Sequence, residues 1–339
     1  MEVIGLVGRH DLLLQAVRPS DRPAVEPDHL SRIDHVLRRL EATDAAELSQ
    51  RVEAIEPSRE QLVGISLVPR IPDDAIALLG EDVMHGHGEV DGPQAGRQVA
   101  ATAAAQIKKS VLELGGSDAF IVLEDADLEQ AVATAVNSRF LNTGQSCIAA
   151  KRFIVVEAVV EDFLARFKAG AEALVMGDPL QESTQLGPLA RVDLRDELHQ
   201  QVVDSIAHGA VAVTGCNPES GAGAFYQASI LDRVRPGIRA YHEELFGPVA
   251  SVIRALDEED AVRIANDSDF GLGGSVWTQD SARGERVARQ LECGCAFVNG
   301  LVKSDPRLPF GGIKHSGYGR ELSRLGMREF MNAKTLWVK

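Results

Sequence analysis

The sequence predicts an α/β fold on a mostly parallel sheet, and three observations predict it. From about Ala95 onward, short apolar runs of strand length alternate with helical stretches. Val160, Phe163, Leu164, Phe167, Ala171 and Leu174 form one amphipathic stripe. Asp127 stands as N-cap before Leu128, Val132, Val136 and Phe140, with Gln130 at the capping-box position.

In chain order, residues 120–123 read as a buried strand, followed by the Asp127-capped helix, and residues 152–156 read as a second strand. The amphipathic stripe comes next. Strands are expected at 249–253, 274–277 and 296–298, with helices at 258–265 and 281–291 between them and another at 321–330. The terminal residues 334–339 read as a short apolar strand, of the kind that pairs with another subunit.

The first 95 residues have a different texture. They contain no Lys, Asn, Cys, Phe, Tyr or Trp, while all 16 aromatic residues and all 8 lysines lie in 96–339. Leu30, Ile33, Leu37 and Leu40, then Leu48, Val52 and Ile55, allow one or two helices between Pro27 and Pro57. His85 and His87 alternate as metal ligands could, but the glycines around them fit a loop, and no metal site is expected.

The whole chain has 339 residues and a formal charge of -15. Such an acidic surface disfavours nucleic acid or an anionic membrane as partner. Four cysteines in this length do not make a disulfide framework, which points to a reducing compartment. No run is long and apolar enough to span a membrane, and residues 1–10 lack a signal peptide's basic and apolar regions. The expectation is a cytoplasmic protein.

Four runs could carry chemistry. Cys147 follows Asn142, Thr143, Gly144, Gln145 and Ser146, a small-residue turn in which a thiol can be approached closely. If a helix begins there, its amides would lower the thiol pKa and hold an oxyanion; the bland alternative is a buried, inert cysteine. Glu113 sits in an apolar strand pattern just before Gly115 and Gly116, a setting that can raise a carboxyl pKa and poise a general base. Its alternative is a strand-end carboxylate facing water. Glu243 and Glu244 stand beside Phe246, Gly247 and Pro248, suiting ribose hydroxyls and a flat ring. Pro309 to Arg320 is glycine-dense without the spacing of a dinucleotide fingerprint. Cys293 and Cys295 read as structural thiols at a strand edge.

Taken in this order, these runs closely resemble the aldehyde dehydrogenase superfamily, in particular bacterial succinate-semialdehyde dehydrogenases, over residues 96–339. The resemblance implies that Cys147 attacks the aldehyde and that Glu113 activates the water that hydrolyses the resulting thioester. It implies NAD or NADP as cofactor, with Glu244, Phe246, Leu114 and Gly115 binding it, and places Ser304 at the carboxylate end of a small semialdehyde substrate. Some members carry an arginine where this chain has Leu141, which weakens the substrate assignment.

The resemblance also divides the chain. Residues 1–95 are unmatched, 96–116 are a remnant of the nucleotide-binding domain, and 117–310 are the catalytic thiol domain. Residues 311–332 form a helix packing toward the nucleotide domain, and 333–339 an oligomerisation strand joining copies of a homo-oligomer. The oxyanion-hole asparagine and ribose lysine of the upstream half find no match in 1–95. The nucleotide-binding domain is therefore expected to be incomplete, and two functions compete: an NAD(P)-dependent aldehyde dehydrogenase, or a remnant with at most Cys147-dependent esterase activity or an oligomerisation role.

Overall fold

The computed structural model describes residues 92–338 apart from Ala222. The helices expected between Pro27 and Pro57 and the loop around His85 and His87 lie outside the described residues. Residues 92–332 belong to one compact unit and 333–338 to another.

The chain enters through an alanine-rich helix, α1 (Gly92–Ala105), and a two-residue strand, β1 (Leu112–Glu113). Next come β2 (Asp118–Val122), α2 (Leu128–Phe140), β3 (Ala150–Val156) and α3 (Val160–Glu172). They are followed by α4 (Val192–Ala207), β4 (Val211–Thr214), β5 (Ser229–Asp232) and the one-turn α5 (Arg239–His242). Then follow β6 (Val249–Ala255), α6 (Glu258–Asn266), β7 (Phe270–Gly271), β8 (Gly273–Trp277) and α7 (Ser281–Ala288). The unit finishes with β9 (Cys295–Val298), β10 (Ile313–Lys314), β11 (Gly317–Tyr318) and α8 (Ser323–Glu329).

A seven-stranded sheet in the order β4-β5-β6-β3-β2-β8-β9 organises the unit. Every neighbouring pair is parallel except β4 with β5. The α/β expectation with a mostly parallel sheet holds, and the reason is the pleat. On one face Ile121, Ile154, Val249 and Ile253 meet Leu198 and Val202 of α4, Ile264 of α6 and Val287 of α7. On the other, Phe120, Val122, Phe153 and Val155 meet Ala131 and Ala135 of α2 and Phe163 and Phe167 of α3. Burying each such side chain stabilises by about 1.5–3 kcal/mol, so both faces are covered.

Local signals placed several elements well. The Asp127 carboxylate accepts from the Gln130 amide at 3.1 Å, as an N-cap should. Asp257 and Asp280 cap α6 and α7 in the same way. The stripe beginning at Val160 is α3, although Leu174 falls beyond its end.

The helix expected over 281–291 stops at Ala288, and α4, β4 and β5 were not anticipated. Residues 333–338, read as a strand that pairs with another subunit, carry no strand structure within the single chain, and Leu336, Trp337 and Val338 are 64%, 85% and 83% exposed. A strand needs a neighbour's ladder, and apolar alternation alone supplies none.

The segments on either side of the sheet meet each other. β1 pairs antiparallel with β11, Leu112 opposite Tyr318 and Glu113 opposite Gly317. Lys109 forms an ion pair with Glu329 of α8. This clasp fixes the strand end that carries Glu113 and Gly115. No helix among the described residues is long and apolar enough to cross a membrane.

Candidate active site

Cys147 lies half-buried in a turn between α2 and β3, at the carboxyl end of α2. No helix begins at Cys147, which corrects the conditional expectation of a helix N-terminus there. The approach is instead a tight coil in which Asn142, Thr143 and Gly144 have φ of 53°, 56° and 71°. Three successive left-handed residues are costly, and they persist only when their surroundings over-determine them.

The surroundings do so. Buried Arg139 donates from Nη2 to the Gly144 carbonyl at 2.6 Å. Thr143 Oγ1 donates to Gly187 O at 3.2 Å, and Asn142 Nδ2 to Gln145 O at 2.9 Å. The Ala190 amide donates to Gln145 Oε1 at 2.8 Å. Gly144 is obligatory: a Cβ there would lie 2.3 Å from Gly247 O and 2.6 Å from Arg139 Nη2.

Beneath the thiol stands Lys151, 1% exposed on β3. Its ammonium donates to Ser146 O at 2.9 Å and Cys147 O at 2.8 Å, and pairs with Glu244 Oε1 at 2.9 Å. Burial raises the Cys147 thiol pKa; the Lys151 charge opposes this, while Asp118 and Glu244 add to it. Asp118, buried on β2, is itself pushed up to about 6 by burial, with one oxygen accepting from the Gly273 amide.

Glu244 is also pressed onto the second predicted run. A Cβ on Gly115 would lie 2.0 Å from Glu244 Oε2, so any side chain there would displace the carboxylate. Leu114 packs its side chain against Gly96 of α1, where a Cβ would lie 2.5 Å from Leu114 Cδ1. Phe246 exposes a third of its surface beside them. Of the residues expected to bind cofactor, Glu244 and Gly115 are thus in contact, with Leu114 and Phe246 their chain neighbours. An acceptor carboxylate over bare backbone, next to an open aromatic face, fits the ribose and ring at the nicotinamide end of a dinucleotide.

Glu113 is placed differently from its expected partner. A Cβ on Gly311 would lie 2.4 Å from Glu113 Oε1, and both carboxyl oxygens are buried without a hydrogen-bond partner. Burial pushes this carboxyl up to about 8, Glu321 adds to the shift and Arg320 opposes it. The strand end it belongs to does abut the thiol loop, since a Cβ on Gly116 would lie 2.9 Å from Cys147 O. Ser304 is exposed in the stretch between β9 and β10. Cys293 and Cys295 are free thiols; Cys293 Sγ donates to Cys295 O at 3.1 Å and Cys295 Sγ to Leu272 O at 3.5 Å.

Sequence reasoning missed Lys151, Arg139 and Asp118. Asp118 carried a signal, a charge between small residues and the apolar run 119–123; Lys151 and Arg139 have polar neighbours in sequence and carried none as clear.

A thiol on an over-determined turn, a buried ammonium bound to that turn's carbonyls, a carboxylate against a glycine and a second carboxyl of raised pKa make up the candidate site. The chain belongs to the aldehyde dehydrogenase family: the model of that family matches residues 90–336. It is 52% identical over 244 residues to an Escherichia coli (strain K12) protein named succinate semialdehyde dehydrogenase (NAD(P)+) Sad, covering 72% of this chain and 53% of that one. It is 47% identical over 264 residues to a Synechocystis protein named probable succinate-semialdehyde dehydrogenase (NADP(+)), covering 78% of this chain and 58% of the other. Among solved structures, succinic semialdehyde dehydrogenase from Streptococcus pyogenes in complex with NADP+ matches with a TM-score of 0.72 at 37% identity, over 73% of this chain and 55% of that one. The chain spans about half the length of the curated relatives it matches.

Proposed function

We propose that the chain is the thiol-bearing part of an enzyme that oxidises a small aldehyde, of the succinic semialdehyde class, to its acid with NAD or NADP. The observation that carries this reading is Cys147, held on its turn above Lys151 with Glu244 against Gly115 alongside. The names of the relatives support the substrate class and the cofactor.

The Cys147 thiolate attacks the aldehyde carbon; a C–S bond forms and the carbonyl oxygen becomes an oxyanion. In this reading the Cys147 amide donates to that oxygen. Glu244, against Gly115, would hold the ribose hydroxyls of NAD(P)+, which when bound would supply the hydride acceptor. Cys147 then carries the acyl group as a thioester. Glu113 then takes a proton from water as the water attacks the thioester; the C–S bond breaks, the acid leaves, and the thiol is restored. In this step the Glu113 carboxyl swings from Gly311 toward the thiol loop. Ser304 contacts the far carboxylate of the substrate.

A second reading is favoured by the length of the match. The family model covers only residues from 90 onward, and these correspond to about half of a full relative. In that reading the chain is a remnant in which Cys147 and Glu113 hydrolyse activated esters without passing a hydride on, or which serves assembly. In either reading Leu336, Trp337 and Val338 are the strand by which a second copy joins, giving a homo-oligomer.

The purified chain is assayed for reduction of NADP+ with succinic semialdehyde and for hydrolysis of p-nitrophenyl acetate, each against Cys147→Ala. Dehydrogenase function predicts reduction that Cys147→Ala abolishes. Cys147-dependent ester hydrolysis with no reduction establishes the remnant, and neither activity overturns both.

A further inference from the structure

The charged groups that face Cys147 come from four elements. Lys151 lies on β3, Asp118 on β2 and Glu244 in the loop after α5, while Arg139 of α2 stands behind the two carboxyls. Lys151 Nζ donates to both carbonyls of the thiol turn, Ser146 O at 2.9 Å and Cys147 O at 2.8 Å, and forms an ion pair with Glu244 Oε1 at 2.9 Å. Its side chain is 1% exposed, so no water competes for those donors. Glu244, by contrast, is 17% exposed and reaches Gly115 with its other oxygen. One buried cation therefore bridges the turn that carries the thiol and the carboxylate at the mouth of the ribose site.

We propose that Lys151 is a positioning residue coupling Glu244 to the thiol turn, so that Glu244 restrains Cys147 until a ligand's hydroxyls engage its carboxylate. This rests on reading Cys147 as the nucleophile and Glu244 as the ribose acceptor. The physics is a competition for one charge. In a site with little water, the Lys151 ammonium favours a thiolate at Cys147, and the Glu244 carboxylate against it cancels part of that field. Hydroxyls donating to Glu244 spread its negative charge and loosen its hold on Nζ. The ammonium then acts more fully on the thiol, and occupancy of the ribose site is felt at sulfur without movement of the sheet.

The test follows alkylation of Cys147 by iodoacetamide in the full chain against pH, read by mass spectrometry at that residue. It needs neither aldehyde nor cofactor turnover. Lys151→Met is expected to move the midpoint up by about one pH unit, a tenfold slowing below the midpoint. Glu244→Gln keeps the shape, removes the negative charge and is expected to move the midpoint down, with several-fold faster alkylation at neutral pH. Coupling predicts that the double variant departs from the sum of the two single effects.

Midpoints unchanged in both single variants, or strict additivity in the double, overturn the proposal. If Lys151→Met loses its fold by circular dichroism, Glu244→Gln alone decides, and an unchanged or raised midpoint overturns it. Failure of the chain to reduce NADP+ would count against the dehydrogenase reading and leave this measurement standing.

Discussion

Around Cys147 the turn's own backbone is tied down: Arg139 Nη2 donates to the Gly144 carbonyl, Gln145 accepts from the Ala190 amide, and Lys151 donates to the Ser146 and Cys147 carbonyls. At Glu113, a few residues from the same turn, neither carboxyl oxygen has a hydrogen-bond partner, and burial pushes the group up to about 8. The first place is fixed by hydrogen bonds and the second is held by packing on glycine. The difference divides the proposed chemistry. A nucleophile must be aimed before substrate arrives, so its turn is over-determined. A base that acts only on the thioester has to wait uncharged and move, and a buried, unpaired carboxyl beside Gly311 does both.

The largest effect should come from breaking the fixed half. Gly144→Ala places a methyl 2.3 Å from Gly247 O at a φ of 71°. Strain of this kind costs of order 1–3 kcal/mol, beyond the displacement of Arg139. The expected outcome is a lower Tm by calorimetry and loss of Cys147 alkylation and ester hydrolysis. Retention of both would show that the turn tolerates motion and that the comparison is wrong.

The next effect acts on the waiting half alone. Glu113→Gln should leave a burst of thioester formation intact and slow the steady state by roughly 10²–10⁴-fold, the usual contribution of a general base. In the unsubstituted chain the steady-state rate should rise with pH toward a plateau above about 8, because only the carboxylate accepts a proton. A pH-independent steady state, or a burst lost together with turnover, would assign Glu113 to the first step instead.

Much of this was legible in the sequence, and for a physical reason. The strands at 120–123, 152–156 and 249–253 are apolar on both faces because both faces are buried, and Asp127 caps α2 by a purely local bond. Cys147 stood out by its turn of small polar residues, Glu113 by an apolar strand pattern before two glycines, and Glu244 by its place beside Phe246, Gly247 and Pro248. Helix α4 was not legible: its buried side is made of Leu198, Gln201, Val202 and Ser205, half of it polar and satisfied by partners far along the chain. Gln201 donates to Glu243, and Ser205 accepts from the Ala240 amide, over separations no periodicity records. Lys151 and Arg139 share that limit, since the groups that justify their burial arrive from other elements.

The smallest expected effect sharpens the account of Glu113 through stability. Its carboxyl has a pKa of about 8 in the folded chain against 4.5 for the ordinary group, so the folded state binds the proton more tightly. Stability therefore falls as pH rises between those values, from no penalty below 4.5 to the full penalty above 8. Glu113→Gln removes a charge that the fold disfavours while keeping the side chain's volume. The variant should match the unsubstituted chain in Tm at pH 4 and exceed it at pH 9. Because an ionised carboxyl can turn toward solvent or toward Arg320, the gain should be modest: about 1 kcal/mol, or roughly 2–4 °C for a unit of this size. Equal Tm values at both pH values would mean that the carboxylate finds partners on ionising, and the contrast with the hydrogen-bonded turn backbone at Cys147 would close.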